Sequence, residues 1–444
     1  EARDLAWGYG PQPPLYMWLQ WGLFRVIPDP VVALALLKNA ALAGTCLAVW
    51  FLLRTAHLPR LAGPATVALM LVPQFAWESQ RALTHSVLAT CIAALTCLVF
   101  VTRTLPGQRG GWVLLGVLAG LGMLSKFNYA FVPPALLLAA LSMKEFRGGV
   151  RPGGILVAGI AAALVTALPV RWMLANPDLV TGSRGKLDIA ETAGFDPLVA
   201  AQGIGATLLA AALFLALPLV VTGFLSFRHR GTKRAGRRRL PPLDRFLWRV
   251  SVIGLVLVAM VVVAGGATNV KDRWMQPVLL AVAPLLALWL FARAGEPARR
   301  GFLRAVGIAA ALVLVMLPVE ALYGTPGSPS RRAAPLEGLV PQLEAAFADA
   351  GVMVADKEWL AGNLAFLRPG APIVSLDRLD RSSSCEGIVL VWSEDGPEAA
   401  ADLAGQAGAA CGLATARPGG VVTFVAPYRL QPDLAFELHA ARLE

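Results

Sequence analysis

The chain has 444 residues, 57% of them hydrophobic and only 15% charged, with a mean hydropathy of +0.63. A soluble domain carries about a quarter charged residues, so composition excludes a soluble enzyme or binding module and points to a polytopic membrane protein. The formal charge of +11 does not imply a nucleic-acid partner, because Lys and Arg gather in short loops between apolar runs.

The chain opens at Glu1 without an initiator Met or a basic-then-apolar leader, and at least one further span is expected ahead of it. Residues 1–30 are predicted to be a remnant of a first extracytoplasmic loop. Its centre is Tyr9-Gly10-Pro11-Gln12-Pro13-Pro14-Leu15-Tyr16, whose three prolines cannot continue a helix. Trp7, Tyr9, Tyr16, Trp18 and Trp21 surround this turn, as amphipathic rings do at a membrane–water boundary. Such a turn can be a plain interfacial anchor or part of a site, and spacing alone leaves both open.

Residues 31–325 are predicted to form a transmembrane domain of about ten helices. The apolar runs lie near 31–55, 61–76, 82–102, 110–124, 127–143, 153–170, 203–225, 248–265, 275–293 and 302–322. Every second loop is basic: Arg54 and Arg60; Arg103 and Arg109; Lys144, Arg147 and Arg151; Arg228 through Arg239; Arg293 through Arg304. Positive-inside topology places these loops in the cytoplasm and both chain ends outside. From about 326 the sequence turns polar. Runs at 351–355, 373–375, 387–392 and 421–425 read as strands, and 357–367 and 396–411 as helices. A small extracytoplasmic α/β domain is expected there. It holds Cys385 and Cys411, which an oxidising compartment lets pair if the fold brings them together.

The unusual polar residues fall in the outer loops. Glu78, Arg81 and His85 flank one span; Ser125-Lys126-Phe127-Asn128-Tyr129 separates two others. Arg171 and Trp172 close a span, and Lys271-Asp272-Arg273-Trp274 enters another from outside, against the positive-inside trend. Ionisable groups at a membrane edge are costly unless they bind a ligand or one another. Glu78 with Arg81 suits an i,i+3 pair. Lys126 either snorkels to water or neutralises a phosphate. Lys271 and Arg273 call for an anion, of which Asp272 supplies part.

Gly8 through Leu19 resembles the "GYYDHPPL" segment of bacterial GT-C glycosyltransferases, the group of lipid A aminoarabinose transferases and protein O-mannosyltransferases. The segments around Lys126, Arg171 and Lys271–Trp274 are similar to that family's in order and sidedness, over about residues 5–295. His85 stands where the family often has an acid, and Arg171 where it has a His. The resemblance implies an α-helical polytopic GT-C fold in the bacterial cytoplasmic (inner) membrane. Its activity would be transfer of a sugar from a polyprenyl-phosphate donor to a hydroxyl of a glycan, lipid or protein acceptor.

In that reading Arg81, Lys126, Lys271 and Arg273 bind the donor phosphate. Tyr9, Gln12, Tyr16, Asn128, Tyr129, Arg171, Trp172 and Trp274 line the substrate site. The acid or base is expected ahead of the chain start, with Glu1 and Asp4 as the visible substitutes beside Glu78 and His85. Glu78 and His85 are also candidates for a divalent metal cation, although their spacing matches no zinc signature. The alternatives are a transporter or flippase of an anionic lipid-linked substrate, which inverted repeats would support but which the sequence lacks, and a degenerate envelope-assembly protein.

Overall fold

The computed structural model describes residues 5–81, 85–177, 179, 196–229, 240–325, 328–379, 385–413 and 415–444. Glu1, Asp4 and the arginine run at 237–239 lie outside the described residues. The chain divides into two compact units, Glu1–Leu314 and Val315–Glu444.

The first unit is helical. Five of its helices match predicted runs: Pro30–Arg54, His85–Thr104, Pro152–Ala175, Pro197–Arg228 and Pro242–Ala264, each long and apolar enough to cross a membrane. A sixth, Val282–Tyr323, joins the last two predicted runs. Its backbone breaks at Gly295, with φ 67° and ψ −155°, a conformation that costs glycine little and other residues much. The 110–124 and 127–143 runs form shorter helical stretches, Gly111–Ser125 and Phe127–Leu141. The 61–76 run is not one straight span. It is a short helix, Pro59–Thr66, followed by a 3₁₀ turn at Val67–Leu71 and a π turn at Gln74–Glu78. Pro64 and Pro73 explain much of that fragmentation, since neither donates a backbone hydrogen bond.

Local chemistry sets the helix starts. Asp29 accepts from the amides of Val31 and Val32 ahead of Pro30, and Asp196 accepts from Leu198 ahead of Pro197; an acidic N-cap followed by proline is a preferred start. Helix Gly111–Ser125 meets helix Pro152–Ala175 through glycines four residues apart. A Cβ on Gly116 would lie 2.3 Å from the Ala158 carbonyl oxygen, and one on Gly120 would lie 2.7 Å from Val165 Cβ. Close backbone approach of this kind is how apolar helices associate where lipid competes for their surfaces.

The loops segregate to two ends. At one end His57 Nε2 lies 2.8 Å from Asp244 Oδ1, and Arg245 pairs with Glu145 at 2.7 Å. Nearby in the same loop set, Arg249 donates to the Ser142 carbonyl at 2.8 Å and Arg299 to the Arg60 carbonyl at 3.0 Å. These contacts tie together four of the loops that the sequence assigns to one side. The loops of the opposite set carry the candidate site.

The second unit is a five-stranded sheet in the order β2-β1-β3-β5-β4, with β1 Val352–Ala355, β2 Ile373–Ser375, β3 Ile388–Trp392, β4 Val422–Tyr428 and β5 Gln431–Arg442. Strands β1, β2 and β3 are parallel, while β5 runs antiparallel to β3 and to β4. Alternate residues supply two cores. Met353, Ala355, Val389 and Val391 pack with helices Leu336–Ala346 and Glu358–Leu367, whereas Val352, Val354, Leu390 and Trp392 pack with helix Ala400–Cys411. Cys385 and Cys411 form a disulfide with their Cα atoms 6.0 Å apart.

Asp356 follows β1 with both carboxylate oxygens buried and unbonded, and burial pushes its carboxyl up to about 6, partly opposed by the charge of Lys357. A carboxyl raised on folding contributes its full stability below the unfolded value of about 4 and loses it as pH rises through the folded value. Asp356→Asn is therefore expected to slow hydrogen exchange in β1 at about pH 8 relative to the parent chain, with no difference at about pH 4. A slower rate at the acid end only would contradict that sign.

Candidate active site

The Pro-rich turn is fixed by its own residues. Gly10 has φ +105°, which only glycine adopts without strain, and helix Leu15–Phe24 starts directly after Pro14. Trp18 Nε1 donates to the Ala6 carbonyl at 2.7 Å, and the Tyr9 hydroxyl accepts from the Ala6 amide at 2.9 Å. Trp7 and Trp18 meet edge to face, their ring centres 5.8 Å apart. The Trp172 ring lies flat enough on Gly8 that a Cβ there would fall 1.9 Å from it. The aromatic residues around the turn thus hold the first loop against the end of helix Pro152–Ala175.

Tyr16 carries the turn inward. Its ring centre is 5.1 Å from that of His85. His85 Nδ1 sits 3.2 Å from the Ser125 carbonyl, and next to it Lys126 Nζ donates to Ser86 Oγ at 2.5 Å. Arg273 lies within Coulombic range of Lys126. Among the described residues no carboxylate pairs with the side chains of Lys126, Lys271 or Arg273.

Asp272, which the sequence offered as their partner, is used otherwise. It accepts from Gln74 Nε2 at 2.5 Å and from the Arg273 amide at 2.7 Å. Gln276 Nε2 in turn donates to the Gln74 carbonyl at 2.8 Å. Asp272 therefore pins the 271–276 segment to the π turn at Gln74–Glu78, and the cationic side chains beside it stay available. Asn128 Nδ2 donates to the Trp274 carbonyl at 2.9 Å, leaving its Oδ1 buried without a partner.

Several expectations change on this geometry. Tyr129 is fully buried, its hydroxyl 2.7 Å from Thr96 Oγ1 and its ring over Gly122, so it is a packing residue and not a substrate contact. The Tyr9 hydroxyl accepts a hydrogen bond within its own loop. Glu78 pairs with Arg81 at 3.1 Å, as the i,i+3 spacing allowed, and His85 is engaged by Ser125. Among the described residues no group of three His, Cys, Asp or Glu is placed to hold a metal ion. Gln12 is half-buried in the turn and Arg171 is exposed beside Trp172.

Lys38 was missed. Lys38 is buried in helix Pro30–Arg54 and donates to the Gln80 carbonyl at 3.3 Å. A lone lysine inside an apolar run was the available signal.

Lys126 and Arg273 are thus two cations within Coulombic range of one another at one end of a helix bundle, neither paired with a carboxylate among the described residues. The sequence profile of the dolichyl-phosphate-mannose-protein mannosyltransferase family matches residues 11–172. The chain is 30% identical over 409 residues to the lipopolysaccharide core galacturonosyltransferase RgtB of Rhizobium johnstonii, covering 88% of this chain and 80% of that protein. To RgtA of the same organism it is 30% identical over 418 residues, covering 90% and 81%. The fold is that of ArnT from Cupriavidus metallidurans, whose undecaprenyl-phosphate-bound structure superposes with a TM-score of 0.58 at 13% identity, over 97% of this chain and 88% of that one.

The protein is thus a multi-pass membrane glycosyltransferase of GT-C type. Within that class it belongs to the family of the lipopolysaccharide core galacturonosyltransferases.

Proposed function

We propose that the chain moves a sugar from a polyprenyl-phosphate donor to a hydroxyl of a surface glycolipid, outside the bacterial inner membrane. The observation that carries this is the pair Lys126 and Arg273, near one another and, among the described residues, without carboxylate partners. In the reaction the bond from sugar C1 to the phosphate oxygen breaks and a bond from C1 to the acceptor oxygen forms. The acceptor proton passes to a base, and the lipid phosphate leaves with one more negative charge. Cations placed where that charge develops lower the barrier. Lys126 and Arg273 are suited to the leaving phosphate, with Lys271 and Arg81 at the rim. Asn128 Oδ1 offers an acceptor for a sugar hydroxyl.

The galacturonosyl activity named for both Rhizobium relatives makes a uronic acid the first sugar to test. The second unit is assigned to the outer side, where a disulfide between Cys385 and Cys411 is stable. The assay uses purified full-length protein with polyprenyl-phosphate galacturonic acid and a truncated lipopolysaccharide core. Transfer of one uronic acid, read by mass spectrometry, is the expected result. Transfer of only neutral or amino sugars would overturn the sugar assignment, and no transfer from any polyprenyl-phosphate donor would overturn the donor class.

A further inference from the structure

A second cationic site lies at the opposite end of the helices from Lys126 and Arg273. Helix Pro197–Arg228 and the limb that follows Gly295 border an open groove of about 730 Å³. The two helices touch where Gly301 faces Leu225, since a Cβ on Gly301 would lie 3.1 Å from Leu225 Cδ2. One wall is apolar, with Val220, Phe224 and Ile308, each more than half exposed. The rim is basic, formed by Arg228, Arg300 and Arg304.

The charge at this rim is neutralised locally only in part. Glu296 binds Arg299 at 2.6 Å and Arg300 at 3.2 Å. Among the described residues Arg228 and Arg304 have no carboxylate partner. A basic rim alone would suit any soluble anion. The apolar wall beside it, continuous with a membrane-facing helix surface, would not.

We infer that this groove binds an anionic diacyl phospholipid, with its phosphate at Arg228, Arg300 and Arg304 and its acyl chains along Val220, Phe224 and Ile308. Basic pockets between membrane helices recognise acidic lipid headgroups in this way. The site is separate from the one proposed for glycosyl transfer, and it stands whether or not the donor assignment holds.

The test titrates phosphatidylglycerol into detergent-solubilised full-length protein and reads thermal stabilisation and lipid retention by native mass spectrometry. Phosphatidylcholine, glycerol phosphate and inorganic phosphate form the comparison arms. The parent chain is expected to be stabilised by phosphatidylglycerol alone. R228Q/R300Q/R304Q should need about tenfold or more lipid for the same shift, as loss of charge-assisted contacts implies. R103Q/R109Q removes basic residues from the rim of another surface groove, one also lined by Phe51 and Leu114, and should respond like the parent. The conservative R228K/R300K/R304K should keep most of the response, which separates lost charge from misfolding. Equal stabilisation by phosphatidylcholine, saturation by phosphate alone, an unchanged triple Gln variant, or an equal loss in R103Q/R109Q would each overturn the inference.

Discussion

Lys126→Ala and Arg273→Ala are each expected to weaken donor-lipid binding by about ten- to a hundredfold, since a charge-assisted contact to phosphate contributes roughly 1.5–3 kcal/mol. Neither change should impair insertion, because neither side chain has a carboxylate to leave unpaired among the described residues. Lys271→Ala, exposed at the rim, should have a smaller effect in the same direction. Asp272→Ala supplies the contrast. Its carboxylate holds Gln74 and the Arg273 amide, so its loss should lower thermal stability first and donor affinity only as a consequence. Donor binding and melting measured side by side distinguish the two patterns. Unchanged donor affinity in both Lys126→Ala and Arg273→Ala would remove them from the site.

The second large effect concerns the disulfide. Cys385 and Cys411 close a loop with a sequence separation of 26, for which chain-entropy arguments give about 3–4 kcal/mol of stabilisation. Replacing both with serine should lower the denaturation midpoint of the second unit while donor binding by the helical unit persists. The measurement is limited proteolysis across a urea series, scored separately on fragments from either unit. Equal resistance of the double-serine and parent chains would show that the bridge contributes nothing to folding.

Much of this architecture was legible because membrane insertion imposes long apolar runs and sorts basic loops to one side. The run at 61–76 misled, since apolar composition says nothing of the prolines' effect on continuity until the turns are counted. Strand β5 was invisible for a different reason. Gln431-Pro-Asp-Leu-Ala-Phe-Glu-Leu-His-Ala-Ala-Arg442 holds three Ala and two Leu, which favour helix locally. Pairing with β3 on one side and β4 on the other overrides that preference.

The candidate site was legible where charge stood out against apolar surroundings, as at Lys126, Lys271 and Arg273. It was illegible where two unremarkable polar residues meet across long sequence separations. Gln74 with Asp272 and Asn128 with Trp274 are pairs that only the fold brings together. Tyr129 erred in the opposite sense: its place beside Lys126 suggested a ligand contact, but the hydroxyl turns into the helix interface toward Thr96.

The seam at Gly116 and Gly120 bears on how sequence variation in this chain should be interpreted. Every substitution there must displace the backbone of helix Pro152–Ala175, since the Ala158 carbonyl oxygen and Val165 already occupy the space a methyl group would take. Both positions will tolerate almost nothing, although neither is near a charged group of the candidate site. A survey of tolerated mutations would rank them beside Lys126 and Arg273. Invariance alone would therefore confound two causes, and only separate assays of abundance in the membrane and turnover per molecule would tell a steric requirement from a chemical one.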